Sequence, residues 1–274
     1  MPLADPPGKV AVITGGASGI GYALAERCLA EGMKVLIGDY EAVALAGASA
    51  RLGAPGMHVD VRRPESLRAL AQSAIDRFGA VHLVCNNAGV SVMTGLASLT
   101  LDDWRWVFDV NLFGLVNGVA AFLPLLKANA EGGHILNTVS MSGLYTVRAQ
   151  AAYAASKAAA LSFSETLRLE LEAEGGKVGV TAVCPGPVRT NIRTSIRNRA
   201  ADYGPTGRDD ANPDVHERAF RTQLPDGVMI EARAVADAAI DAVRRGDFWA
   251  ITHPDLMGPF EDRHAEIMAA CARR

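Results

Sequence analysis

One stretch near the start narrows the folds open to this chain: KVAVITGGASGIGYALAERCLAEG, residues 9–32. Residues 9–14 form a short apolar, β-branched run that reads as a buried strand. Thr14-Gly15-Gly16-Ala17-Ser18-Gly19-Ile20-Gly21 reads as a tight turn, and residues 22–31 carry helical periodicity that Gly32 ends. Glycines let a backbone turn sharply and approach a pyrophosphate closely. The helix that follows offers unpaired N–H groups and a partial positive charge. The spacing is TGxxxGxG rather than GxGxxG, so the flanking strand and helix carry the meaning. A plain tight turn is the competing reading.

The same alternation continues. Further strands are expected at residues 34–38, 57–61, 81–85, 134–139, 177–184 and 248–252. Helices are expected at 41–52, 65–78, 101–127, from Tyr153 to about Gly175, and at 231–245. Thr100, with Asp103 three residues on, looks like a helix N-cap. Strands alternating with helices specify a parallel sheet with right-handed crossovers. At 274 residues, 49% hydrophobic and 21% charged, the chain suits one α/β domain over 1–274. Residues 191–230 change character, with Arg193, Arg197, Arg199, Arg208 and several prolines. They read as a mobile segment with short helices, closing over a bound substrate. Residues 255–274 read as a polar helical tail packed on the outside.

Composition excludes several functions. Lys plus Arg is 27 against 30 for Asp plus Glu, a net charge of −3, and aromatics are 6%. Neither recruits nucleic acid or anionic lipid. No apolar run reaches the ~18 residues that cross a bilayer. The longest, residues 110–126, is interrupted by Asn111, Asn117 and Pro124. The N-terminus lacks the basic and apolar regions of a signal peptide. Cys28, Cys85, Cys184 and Cys271 form no CxxC pair, which suits buried thiols in the cytoplasm. The six histidines show no metal-ligand spacing, so no metal site is expected.

The chemistry is expected between Asn137 and Lys157. Tyr153 and Lys157 are four apart, which places both on one helix face. Ser140 lies thirteen residues before Tyr153, at a strand end that a loop can bring back over the helix. A phenol, an ammonium and a hydroxyl converging there can move a proton to or from an alcohol oxygen. Ser142 competes with Ser140 for this role, and the thirteen-residue spacing favours Ser140. Asn111 is an amide in an apolar run, either a structural bridge or a positioned catalytic group. Asp39 follows Gly15 by 24 residues, close to the offset at which a carboxylate meets an adenosine ribose. Tyr40 rather than Arg follows it, which argues for NAD over NADP. Asn86 reads as a brace between strands. Val92, Met93, Met141, Leu144 and Val147 suggest an apolar substrate pocket, while the 191–230 arginines leave an acidic substrate open.

TGGASGIG at 14–21, Asp60, NNAG at 86–89, Asn111, Ser140, Tyr153-x-x-x-Lys157 and PGPVRT at 185–190 stand in one order. Taken together they make the chain resemble the short-chain dehydrogenase/reductase family, closely over 9–190 and loosely beyond. The resemblance implies a Rossmann-like, doubly wound, seven-stranded parallel sheet with helices on both faces. It implies a homotetramer or homodimer through the two long central helices. It also implies a catalytic tetrad of Asn111, Ser140, Tyr153 and Lys157. Gly15, Ser18, Gly19, Ile20 and Gly21 would face the pyrophosphate, Asp39 the adenosine ribose, and Asp60 with Val61 the adenine. Asn87, Ala88, Gly89, Pro185, Gly186 and Val188 would line the nicotinamide side, with Thr190 near its amide or a phosphate. Tyr153 and Lys157 would also hold the nicotinamide ribose. The implied activity is NAD(P)-dependent interconversion of a secondary alcohol and a ketone, with NAD favoured. The substrate would be hydrophobic, aryl or steroid-like. The alternatives are an NADPH-dependent carbonyl reductase and a non-catalytic dinucleotide-binding sensor.

Overall fold

The computed structural model describes residues 2–3, 5–207, 225 and 227–273. Seven parallel strands form one sheet. They are β1 (Val10–Thr14), β2 (Lys34–Asp39), β3 (Gly56–His58), β4 (Leu83–Asn86), β5 (Gly133–Thr138), β6 (Val178–Cys184) and, last in the chain, β9 (Trp249–Ile251). Their order across the sheet is β3-β2-β1-β4-β5-β6-β9. The chain works outward from β1 to one edge, then crosses back to the other side of β1 at β4. A crevice opens at such a switch point, outside the carboxyl ends of the strands. The fold expected from the sequence is therefore the one observed.

The strands read as continuous apolar runs because both faces are covered. α1 (Gly19–Ala30), α2 (Ala42–Leu52) and α7 (Ala232–Arg245) bury one face around Ile13, Leu24, Ile37 and Ile240. α3 (Pro64–Phe78), α4 (Leu101–Phe108), α5 (Gly114–Ala128) and α6 (Ala151–Ala173) bury the other around Leu70, Trp106, Phe122 and Ile135. Thr100 caps α4 in a reciprocal box with Asp103, as its spacing predicted. The last helix, α8 (Gly258–Cys271), lies outside the core with its side chains exposed. Arg263 ties it down by donating to the Leu144 carbonyl at 2.8 Å.

Four expectations change. The 57–61 strand is only β3, an edge strand, because the chain turns into Asp60–Arg62 once His58 has paired with Asp39. The expected 101–127 helix is continuous over Leu101–Ala128 but holds a π-helical turn at Asp109–Phe113, which no residue pattern announces. This 28-residue rod is long and apolar enough to cross a bilayer, yet it is a core helix: Trp106, Phe122 and Leu126 are buried against the sheet. Residues 188–189 and 230–231 form a short parallel ladder, β7 (Val188–Arg189) with β8 (Ile230–Glu231). Finally, residues 191–207 are anchored rather than loose. Ser195 and the Ser91 backbone exchange two hydrogen bonds, at 2.9 and 3.0 Å. Arg199 donates to the buried Asp103 at 2.8 Å, and Asp103 also accepts from Thr206 and Gly207. The rest of the expected closing segment, including Arg208, falls on 208–224 and 226, outside the described residues.

Candidate active site

The floor of the crevice is stitched from three strand ends. Thr14 Oγ1 accepts from the Asn87 and Ala88 amides at 3.0 and 3.2 Å, and donates to Cys85 O at 3.3 Å. Asn87 Nδ2 returns to Thr14 O at 3.1 Å, and Asn87 Oδ1 accepts from Thr138 Oγ1 at 3.1 Å. The ends of β1, β4 and β5 thus share one network. The glycine turn lies on it so closely that side chains are excluded. Gly15 has φ +66°, and a Cβ there would stand 2.9 Å from the Ala88 Cα. A Cβ on Gly21 would meet the Gly15 carbonyl oxygen at 2.0 Å. Gly21 therefore seats α1 beneath the turn rather than forming the cavity wall.

Above this floor runs a single long cavity of about 1290 Å³, counting its open mouth. At one end stand Asp39, Asp60 and Val61; in the middle, Gly15, Ser18, Gly19 and Ile20; at the other end, Ser140, Tyr153 and Lys157. Asn87, Ala88, Gly89, Pro185, Gly186, Val188 and Thr190 complete the walls. A bare-backbone turn at a helix N-terminus, a carboxylate beyond it and a phenol–ammonium pair at the far end fit a dinucleotide along its whole length.

At the far end, Ser140 accepts from the Ser142 amide at 3.0 Å and donates to Pro185 O at 3.4 Å. Ser142 turns its hydroxyl to Gln150 at 2.9 Å. Ser140 borders the cavity and Ser142 does not. Lys157 Nζ donates to Thr138 O at 2.7 Å and lies 5.8 Å from the centre of the Tyr153 ring. Burial pulls the Lys157 ammonium down to about 8, partly offset by Cys184. Burial raises Tyr153, and the Ser140 hydroxyl opposes that rise. Asn111 lies beneath the wall, not on it. Its amide closes on both backbone groups of Val90, at 2.8 and 2.9 Å, and donates to Ser156 at 3.0 Å. The bridging reading of this amide is the one its contacts favour. Asn86 likewise braces β4 to β5, donating to Asn137 at 2.9 Å.

At the near end the Asp39 carboxylate is held open-handed beneath the glycine turn. It accepts from the Ala17 amide at 2.9 Å and from the Glu41 amide at 3.0 Å. Several wall residues were not anticipated. Arg62 grips Asp60 through Nε and a terminal nitrogen at 2.9 and 2.7 Å, beside the rings of Tyr40 and Tyr203. Glu41 pairs with Arg197 from the opposite wall. Trp106, expected only in the core or at a subunit contact, also borders the cavity. Residues directly after strand ends, such as Tyr40, Glu41 and Arg62, could have been sought by position; Arg197 stood out only as one of the arginines of 191–230, with nothing to single it out or to point to Glu41. Conversely, Val92, Met93, Met141 and Leu144 are packed in the core and do not border the cavity. The apolar pocket expected from them is not where the sequence placed it. Among the described residues no cluster of metal-ligating side chains occurs.

A family model described as short chain dehydrogenase matches residues 9–201. The chain is 34% identical over 272 residues to a 1-deoxy-11-beta-hydroxypentalenate dehydrogenase of Streptomyces avermitilis, covering 97% of this chain and 92% of that one. It is 35% identical over 205 residues to a C alpha-dehydrogenase of Sphingobium, covering 73% and 67%. A short chain dehydrogenase/reductase from Burkholderia phymatum, solved in complex with NAD, superposes with a TM-score of 0.90 at 36% identity. That match covers 97% of this chain and 96% of the other.

Proposed function

Because the chain belongs to the short chain dehydrogenase family, we propose that it is an NAD-dependent oxidoreductase interconverting a secondary alcohol and a ketone, with Tyr153 as general acid–base. The observation that carries this reading is the convergence of Ser140, Tyr153 and Lys157 at one end of a cavity whose other end presents Asp39. When bound, the nicotinamide accepts or returns the hydride. Tyr153 takes the alcohol proton in oxidation and gives it back in reduction. A free tyrosine titrates near ~10, so it needs help to act as a base at neutral pH. The Lys157 charge beside its ring favours the phenolate, and the Ser140 hydroxyl holds the substrate oxygen as charge develops. With its own affinity for protons lowered to about 8, Lys157 can also pass a proton on near neutral pH. Asn111 holds the Val90 loop that backs Lys157, a support for the lysine rather than a group that meets substrate.

Asp39 supports NAD: its carboxylate can accept from ribose hydroxyls and repels a 2′-phosphate. The NAD complex of the Burkholderia relative is in line with this. A hydrophobic or aryl hydroxy compound remains the proposed substrate class, supported by a relative named for dehydrogenating a hydroxylated compound. Homodimers or homotetramers would use the central helices, where Leu101, Phe113 and Leu169 are exposed. Buried, unbridged Cys28, Cys85 and Cys184 suit a reducing compartment such as the cytoplasm. The test is a panel of secondary alcohols with NAD, following NADH absorbance in wild type and Tyr153→Phe. Turnover that Tyr153→Phe abolishes supports the reading; turnover that survives it removes Tyr153 from the chemistry.

A further inference from the structure

We propose that Glu41 selects the dinucleotide by masking Arg197, a guanidinium that would otherwise receive a 2′-phosphate. The inference rests on the NAD reading above and deepens it. Three described cationic side chains border the cavity: Lys157, Arg62 and Arg197. Lys157 sits at the Tyr153 end. Arg62 is gripped by Asp60. Arg197 stands at the ribose end, where its Nε and a terminal nitrogen meet the two Glu41 oxygens at 3.2 and 2.5 Å. Asn198 adds a third donor to the same carboxylate at 2.8 Å. Arg197 and Asn198 hold the Glu41 carboxyl below its ordinary range despite partial burial.

The placement makes this more than a surface ion pair. Glu41 is the residue whose amide binds Asp39, so the Arg197 fork lies one side chain from the carboxylate proposed to hold the ribose. The other guanidinium nitrogen is engaged separately, donating to Thr194 O at 2.9 Å and Asn191 O at 3.3 Å. Removing Glu41 therefore frees two donor positions while the third keeps the guanidinium where it is. A planar fork held in place is what a phosphate needs. On this account Asp39 excludes the 2′-phosphate by repulsion, and Glu41 excludes it by occupying Arg197, as Asp60 occupies Arg62 on the same cavity. Asp39→Ala alone then gains little for NADP, because Arg197 stays paired.

The probe is adenosine 2′,5′-bisphosphate against 5′-AMP, whose affinity ratio isolates the 2′-phosphate. Calorimetric titrations at pH 8, where a phosphomonoester is dianionic, are run on wild type, Glu41→Ala, Glu41→Gln, and Glu41→Ala with Arg197→Met. The expected result is a rise in that ratio of about tenfold or more in Glu41→Ala. A smaller rise is expected in Glu41→Gln, whose amide oxygen still accepts from Arg197, and none in the double variant. A ratio unchanged in Glu41→Ala, or a rise that survives Arg197→Met, overturns the masking. A wild type that already binds the bisphosphate better than AMP overturns the NAD reading, and with it any need for a mask.

Discussion

Replacing Lys157 with Met should stabilise the protein at neutral pH while destroying its proposed activity. The ammonium is 3% exposed, donates to a single carbonyl, and has no carboxylate partner among the described residues. Burial moves it from 10.5 to about 8. At ~1.36 kcal/mol per pH unit, that gap corresponds to on the order of 3 kcal/mol. The unfolded chain keeps this proton up to about 10.5, whereas the folded chain releases it near 8. Below 8 the folded state carries the full cost of a dry charge. Between 8 and 10.5 stability rises with pH, and above 10.5 the cost is gone. Losing the Thr138 contact subtracts about 1 kcal/mol from the variant at every pH. The assay is urea unfolding of both proteins at pH 7, 8, 9 and 10, at one protein concentration, since assembly would shift apparent stability. The variant's advantage should shrink by about 2–3 kcal/mol from pH 7 to pH 10. Titrating groups out of reach of Lys157 cancel in the difference; Tyr153 and Cys184 beside it do not. A difference that is flat across that range, or that widens, would refute the claim that Lys157 is held charged in a dry site.

Three further outcomes are expected. Tyr153→Phe should lower kcat by about 10²–10⁴-fold and weaken NAD binding, read by tryptophan fluorescence, by no more than about tenfold; parallel loss of binding would mean the phenol mainly holds cofactor. Gly118→Ala should destabilise by about 1–3 kcal/mol in urea, since its Cβ would stand 2.0 Å from the buried Asn86 Oδ1; a neutral result would show that Asn86 can swing aside. Asp103→Ala strands Arg199, whose side chain is only 7% exposed. It should cost about 3–5 kcal/mol and speed limited proteolysis within 199–207, and an unchanged digest would show that the segment is held elsewhere.

What the sequence made legible is what is local in it. The turn at Gly15–Gly21 and the Tyr153–Lys157 pair are short motifs whose spacing carries their geometry. The sheet followed from alternation along the chain. What stayed hidden is contact across distance. Glu41 and Arg197 lie 156 residues apart, and Asp103 and Arg199 lie 96 apart. Nothing in either neighbourhood announces a partner, so residues 191–207 looked like loose chain when they are docked. The π-helical turn at Asp109–Phe113 escaped because the following helix is apolar on most sides, so the rotation of about 100° that one added residue brings leaves no visible break in the pattern. Val92, Met141 and Leu144 misled for the opposite reason: apolar residues near a motif look like pocket, and most such residues are core.

The amides of Asn86 and Asn137 bear on how reliably this sheet assembles. β4 and β5 are buried on both faces, so sliding one past the other by a residue would still set apolar beside apolar. Their hydrophobic pattern therefore does little to forbid a slipped pairing. The amide pair does: Asn86 stands opposite Asn137, which donates onward to Ser164 on α6 at 2.9 Å. A one-residue slip would leave these amides in the core without each other, at ~1–3 kcal/mol for each stranded group. Because residues 87–89 and 139–140 leave directly from these two strands, the register that the polar thread favours also sets the offset at which both loops reach the cleft.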